Sequence, residues 1–272
     1  MAAETAELTT PTTDAGASLD RRLTGLRRFN GVMGGIHLGQ AALMLVLSTA
    51  FALPVMTYFL QLDPATGRLV PNPTVAFELP IGPMVALFLL ISAVAHFLIA
   101  SPPIYPWYAR NIKLGVNYAR WAEYALSSSV MIVIIAMLAG IYDIAALLVM
   151  FALNATMNLF GWMMELHNQT TQKTNWTAYI FGCIAGIIPW VAVGLYLFNA
   201  GEGDAKAPTF VYWIYFSIFL FFNCFAVNQV LQYKKIGKWQ DYLYGERAYI
   251  ILSLVAKSLL AWQVFGGTLR PV

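Results

Sequence analysis

Lys257 is the residue whose chemistry most needs explaining. It sits in Ile250-Ile251-Leu252-Ser253-Leu254-Val255-Ala256-Lys257-Ser258-Leu259-Leu260-Ala261-Trp262, a stretch that is otherwise apolar apart from two serines. An ammonium in the middle of a lipid-spanning helix costs roughly 2.5–3.5 kcal/mol on insertion scales, so it needs a partner or a covalent task. The acid at comparable depth is Glu123, in Arg120-Trp121-Ala122-Glu123. Glu123 lies 12 residues beyond Asn111 and Ser253 lies 12 residues beyond Asp241, which at ~1.5 Å per residue places both about 18 Å deep. Lys257 is one turn further on the face of Ser253. Helical side chains lean toward the helix N-terminus, so its amine should return to that level. At ~4 Å and an effective dielectric of ~20, such a pair is worth about 4 kcal/mol. Two chemistries are open: a plain buried ion pair, or an imine between a nucleophilic lysine in a dry pocket and a carbonyl compound.

The elements that must position this pair follow from composition. The chain has 272 residues, 59% hydrophobic and 11% charged, against roughly 25% charged in soluble domains. It contains seven apolar runs, each near the ~20 residues needed to cross a ~30 Å hydrocarbon layer, with short connections. The expectation is an all-α membrane protein, a seven-helix bundle over residues 21–268 preceded by a disordered cytoplasmic tail over 1–20. The spans are expected near Phe29–Tyr58, Pro83–Ser101, Asn111–Leu138, Tyr142–Leu166, Thr174–Asn199, Phe210–Tyr233 and Asp241–Phe265. Between the first two, Asp63-Pro64-Ala65-Thr66-Gly67 separates two apolar–polar alternations, a hairpin signal. Thr74–Leu79 could add a third strand to this loop of about residues 59–80. Cys183 and Cys224 fall inside apolar runs and read as small core residues.

Charge placement sets an orientation. Arg21, Arg22, Arg27, Arg28, Arg110, Lys113, Lys173, Lys234, Lys235 and Lys238 lie on the side of the N-terminus, and only Arg68, Lys206 and Arg270 on the other. Positive residues favour the cytoplasm, so the N-terminus is expected inside and the C-terminus and hairpin outside.

Seven helices, Ser253-Leu254-Val255-Ala256-Lys257 in the last, Arg120-Trp121-Ala122-Glu123 in the third, the reversed charge bias, the strand-forming first loop and the histidines His37 and His96 resemble the heliorhodopsins, within the microbial-type rhodopsins. The resemblance covers about residues 21–268. It implies a covalent all-trans retinal on Lys257, with Glu123 as single carboxylate counterion and Ser253 beside it. Ser127, Trp121, Met157 and Phe222 are expected around the chromophore, with Asn154 and Asn158 as further candidates. His37 and His96 are expected in a polar cavity on the cytoplasmic side, in the company of Gln40, Ser92, Asn117, Arg120 and Glu165. A pair between Arg120 and Glu165 would offset the cost of leaving Arg120 bare. The resemblance also implies a homodimer, with the hairpin strands as one contact.

Outward proton pumps of that superfamily carry a second carboxylate one turn before the lysine and a proton donor eleven residues after the third-helix counterion. Here those positions hold Ser253 and Ile134. The sequence therefore reads as a light sensor that moves no ion and is not an enzyme. The rival readings are a light-driven or light-gated transporter on the same chromophore, and a non-retinal transporter built on a Glu123–Lys257 pair. A G-protein-coupled receptor fails on orientation and on the absence of its Asp-Arg-Tyr and Asn-Pro-x-x-Tyr signatures.

Overall fold

The structure, a computed structural model, describes residues 12–199 and 206–270. The elements run α1 (Thr12–Leu47), β1 (Ala52–Asp63), β2 (Arg68–Pro80), α2 (Ile81–Ala100), α3 (Tyr105–Lys113), α4 (Tyr118–Leu138), α5 (Ile144–His167), α6 (Thr177–Asn199), α7 (Thr209–Tyr233) and α8 (Tyr242–Val264). A 3₁₀ turn over Gly237–Gln240 precedes α8, and a π-helical turn over Phe265–Leu269 follows it. All of these helices except α3 are long and apolar enough to span a membrane, seven in all. The protein is thus a multi-pass all-α bundle with a two-stranded antiparallel sheet in its first loop. We call the two ends of the bundle the N-terminal face and the hairpin face.

α4 is the central helix. Every residue from Val130 to Met137 is buried, packed among Phe88 and Leu89 of α2, Leu147 and Met150 of α5 and Leu260 and Val264 of α8. A helix apolar on all sides is a core helix. Asn117 caps its N-terminus by accepting from the Arg120 N–H, and Asp143 and Asp241 do the same for α5 and α8.

Several boundaries differ from the sequence expectation, each for a physical reason. The first span ends at Leu47 rather than Tyr58, because Pro54 cannot sit in a helix interior and the apolar residues after it form β1. The third strand expected at Thr74–Leu79 is the continuation of β2, which pairs from Arg68↔Asp63 to Pro80↔Ala52 around a bulge at Ala76. The third span starts at Tyr118 rather than Asn111, and the residues before it belong to the separate short helix α3. Gly115, at φ 75°, and the short turn around it separate α3 from α4, a left-handed backbone conformation that glycine adopts without a Cβ clash.

Residues 12–20, expected to be disordered, are helical, while residues 1–11 lie outside the described residues. The polar composition there hides a stripe of Leu19, Leu23 and Leu26, which pack beside Tyr108, Ile112 and Leu243. Asp20 pairs with Lys113 at 2.7 Å, and Arg22 pairs with Asp241. Cys183 is exposed and Cys224 half-buried, so neither is a fully buried core residue.

The hairpin is tied to the bundle at its base. The Met56 N–H donates to the Tyr142 carbonyl at 2.8 Å, immediately before the Asp143 cap. At the far end, the Asp63 carboxylate accepts from the Ala65 N–H and the Thr66 hydroxyl, and the hydroxyl holds this carboxyl below its ordinary pKa. Asp143→Ala removes the α5 cap beside the hairpin anchor. It is expected to cost about 1 kcal/mol, seen as a thermal midpoint lowered by about 2–4 °C, whereas Asp143→Asn should retain most of the stability.

Candidate functional site

α8 carries the site on one face. Glu246, Ser253 and Lys257 are spaced by seven and four residues, which stacks them along one side of a 3.6-residue helix. Lys257 is only 3% exposed, and its Nζ donates to Glu123 Oε1 at 2.7 Å and to Ser253 Oγ at 2.8 Å. The same Glu123 oxygen accepts from Ser92 Oγ at 2.7 Å. The Tyr124 ring lies 5.2 Å from the ammonium, a cation–π distance, and its hydroxyl is anchored on the Tyr249 carbonyl. A buried charge is tolerated where a counter-charge and hydrogen bonds meet it, and this lysine has both.

One side of Lys257 opens on a cavity of about 340 Å³. Its walls include Trp121, Tyr124 and Met131 of α4, Met157 and Asn158 of α5, Tyr179 and Trp190 of α6, Phe219, Phe222 and Phe225 of α7, and Ser253 and Ala256 of α8. Two glycines shape it. A Cβ on Gly161 would meet the Trp121 ring and one on Gly186 would meet Met157, so their absence lets those large side chains lie flat along the wall. Asn154 and Asn158 donate to Ser128, which also lines the cavity. Ile187 and Asn223 belong both to the wall and to the outer surface, so the enclosure is thinnest between α6 and α7.

On the N-terminal side of the pair lies a second, water-sized cavity of about 30 Å³. Glu123 and Ser253 form one end of it, and Asn30, His96, Tyr108, Asn117 and Arg120 line the rest. His96 Nδ1 is 2.8 Å from Asn30 Oδ1, and the His96 ring stacks on His37 at 5.6 Å. His37 is fully buried, with neither ring nitrogen bonded among the described residues.

Beyond this cavity is a second ionic cluster. The Arg120 guanidinium pairs with Glu165 through Nη2 and with Glu246 through Nη1, all three groups being nearly solvent-free. It also lies 3.9 Å from the Tyr249 ring centroid and 4.6 Å from that of Trp121.

The residues singled out from sequence distribute unevenly. Lys257, Glu123, Ser253, Trp121, Met157 and Phe222 meet at the large cavity or its ion pair. Ser127 does not line it; it is buried one turn beyond Glu123 with its hydroxyl unbonded among the described residues. Ser92, expected in the polar cavity, instead bonds the Glu123 carboxylate itself, because its position on α2 faces α4 at that level. Gln40 is not in that cavity either. It lies about one turn past His37 toward the hairpin face and accepts from Trp262 Nε1 at 3.2 Å. Asn117, Arg120 and Glu165 come together, with Asn117 N–H donating to Glu165 at 3.0 Å. Sequence reasoning missed Glu246, Asn30 and Tyr108. Glu246 had a signal: it lies two turns before Ser253 on the same face.

Removing the cation tests this cluster. Arg120→Leu strands two buried carboxylates and is expected to cost about 3–5 kcal/mol. Arg22→Leu breaks an ion pair whose side chains are both 44% exposed and should cost at most about 1 kcal/mol. Equal losses in thermal unfolding would contradict this ranking.

The heliorhodopsin family profile matches residues 26–269. Among solved structures, a light-driven proton pump from Leptosphaeria maculans is similar with a TM-score of 0.60 at 16% identity, over 89% of this chain and 94% of that one. At that identity the likeness concerns the fold. No curated protein matches the chain. The seven-helix rhodopsin-like bundle and the family profile together indicate a retinal-type photoreceptor or pump, and the chain belongs to the heliorhodopsin family.

Proposed function

We propose that the protein is a light sensor that holds all-trans retinal covalently through Lys257 and moves no net ion. Bound there, retinal supplies light absorption and isomerisation about a double bond. The residues present suit such a group. A cavity of about 340 Å³ is within the roughly 300–1,000 Å³ of small-molecule pockets, its walls are largely aromatic and apolar, and the lysine that would carry the group opens on it. Glu123 would hold positive charge on the Lys257 nitrogen, and Ser253 and Ser92 fix the two partners in register. Trp121, Met157 and Phe222 would flank the polyene.

The observation that carries the no-pumping reading is the one-sided polarity of the core. The buried carboxylates among the described residues, Glu123, Glu165 and Glu246, lie level with Lys257 or on its N-terminal side. Toward the hairpin face, α4 continues as buried Val130–Met137, including Ile134, and α8 as buried Leu260, Ala261 and Val264. A proton released from the Lys257 nitrogen would meet His96, His37 and the small polar cavity, and return from the same side. The charge bias of ten basic residues against three supports an N-terminus in the cytoplasm, so that cavity would face inward.

A homodimer belongs to the same proposal. Phe59 is 74% exposed, and Leu60, Leu62 and Leu69 are exposed beside it. Pro71 and Pro73 remove edge donors from β2, which leaves β1 as the better pairing edge for a second copy.

The deciding experiment is expression with all-trans retinal. A visible absorption band should appear, vanish in Lys257→Ala, and give way at neutral pH to a near-ultraviolet band in Glu123→Gln, where no carboxylate holds the positive charge. No visible band in the wild-type protein overturns the photoreceptor reading in favour of a plain ion-pair transporter. Illuminated cells should show neither sustained photocurrent nor pH change; a sustained signal would establish the light-driven or light-gated transporter instead.

A further inference from the structure

Two contacts show α1 and α8 side by side and running in the same direction: Arg22 pairs with Asp241 near the N-terminal face, and Gln40 accepts from Trp262 Nε1 further in. Between these ties, a Cβ on Gly25 would lie 3.7 Å from Arg247 Nη2, so the Arg247 side chain reaches across to α1 at that residue. Arg21 and Arg28, four residues before Gly25 and three after it, share its side of the helix. Arg21, Arg28 and Arg247 are all exposed. Arg21 bonds a carbonyl of its own helix, that of Ala17, at 3.4 Å. None of the three forms an ion pair among the described residues, because Asp241 is taken by Arg22, Asp20 by Lys113 and Glu246 by Arg120.

Arg247 stands five residues past Tyr242, the first residue of α8, which is about 8 Å along a membrane-spanning helix. A guanidinium at that depth extends its apolar stem to bring its charge to the headgroup layer. Helical side chains lean toward the helix N-terminus, which for both α1 and α8 is the N-terminal face. Arg28 and Arg247 therefore converge on the level of Gly25 and Arg21. Three guanidinia gathered without an acid repel one another, and phosphate oxygens answer that charge well because a guanidinium bonds them bidentately. Below the arginines the surface is apolar. Val32 and Ile36 of α1 and Ile251, Val255 and Trp262 of α8 are exposed, and Gly39 has open space where a Cβ would stand. Arg247, Ile251, Val255 and Trp262 follow the spacing of one helix face. The 15 residues from Arg247 to Trp262 rise about 22 Å, close to the ~20 Å of one leaflet with its headgroups.

We propose that the groove between α1 and α8 binds one phospholipid of net negative charge in the leaflet at the N-terminal face, with its phosphate among Arg21, Arg28 and Arg247 and an acyl chain along Ile36, Ile251 and Val255 toward Trp262. Basic pockets between membrane helices recognise anionic headgroups in this way. A soluble anion would satisfy the arginines and leave the apolar surface beneath them unused. A zwitterionic phospholipid brings its own ammonium, which adds a positive charge where three already stand. The bound lipid clamps α8, which carries Lys257, against the first helix. The site is separate from the large cavity and requires neither retinal nor light.

Native mass spectrometry of the full chain in mild detergent tests this. Phosphatidylglycerol, titrated against phosphatidylcholine with the same acyl chains, should be retained at least about fivefold more strongly and should raise the thermal midpoint. Arg28→Gln combined with Arg247→Gln should abolish both the preference and the thermal shift. Both side chains are exposed, so without lipid this variant should unfold within about 2 °C of the wild type. Gly25→Leu keeps every charge but fills the space in front of Arg247, and should lose most of the preference. Lys234→Gln combined with Lys235→Gln removes two exposed charges at the end of α7 and should leave the preference unchanged. Equal retention of the two lipids by the wild type, a preference that survives in the arginine variant or in Gly25→Leu, or an equal loss in the lysine variant overturns the proposal. Competition by equimolar glycerophosphoglycerol, the same headgroup without acyl chains, also overturns it and assigns the arginines to a soluble anion.

Discussion

A lysine buried in the middle of a membrane bundle dictates much of what surrounds it. Desolvating an ammonium costs several kcal/mol, and the Coulomb attraction of a carboxylate offsets this only if the partners are held close and their remaining hydrogen-bonding capacity is met. Lys257 finds Glu123 at 2.7 Å, Ser253 at 2.8 Å and the Tyr124 ring on a third side. Glu123 in turn is held by Ser92 from α2. Three helices are therefore fixed at one level by a single charge pair, and α4, which carries the acid, is the helix most completely enclosed by the others.

The same constraint explains how polarity is partitioned. Each buried ionic group needs a partner, so charges collect where others already are. Two clusters result on the N-terminal half, joined by a cavity about the size of one water. The hairpin-facing half of the core contains no buried acid among the described residues and packs as ordinary apolar side chains. The proposed confinement of proton movement to one side of a bound chromophore rests on this asymmetry.

The span count, the membrane class and the hairpin turn were legible because they rest on local patterns, apolar run length and Asp-Pro-Ala-Thr-Gly, whereas Pro54 was read through as part of the first span. The level shared by Glu123 and Ser253 was legible too, though by a count that started from Asn111, which belongs to a separate helix. What local pattern does not encode is lateral direction. Ser92 was placed with the histidines by its spacing from His96, yet it turns to Glu123, and Gln40 turns to Trp262. Glu246 escaped because a carboxylate near a helix end reads as solvated, and only the position of Arg120 across the bundle reveals that it is enclosed.

The turn between α3 and α4 also has a consequence for the site. Were the third span a continuous helix, Asn117 would lie in its interior with its N–H donating along the helix axis. Ending α3 at Lys113 and restarting at Tyr118 frees that N–H to donate to Glu165, while the side chain caps α4 through Oδ1 and donates to Glu246 through Nδ2. One asparagine thus satisfies a helix end and both acids of the cluster. Gly115, in its left-handed conformation, is what permits the turn, so a residue with no contact to any charged group helps determine where the buried charges meet.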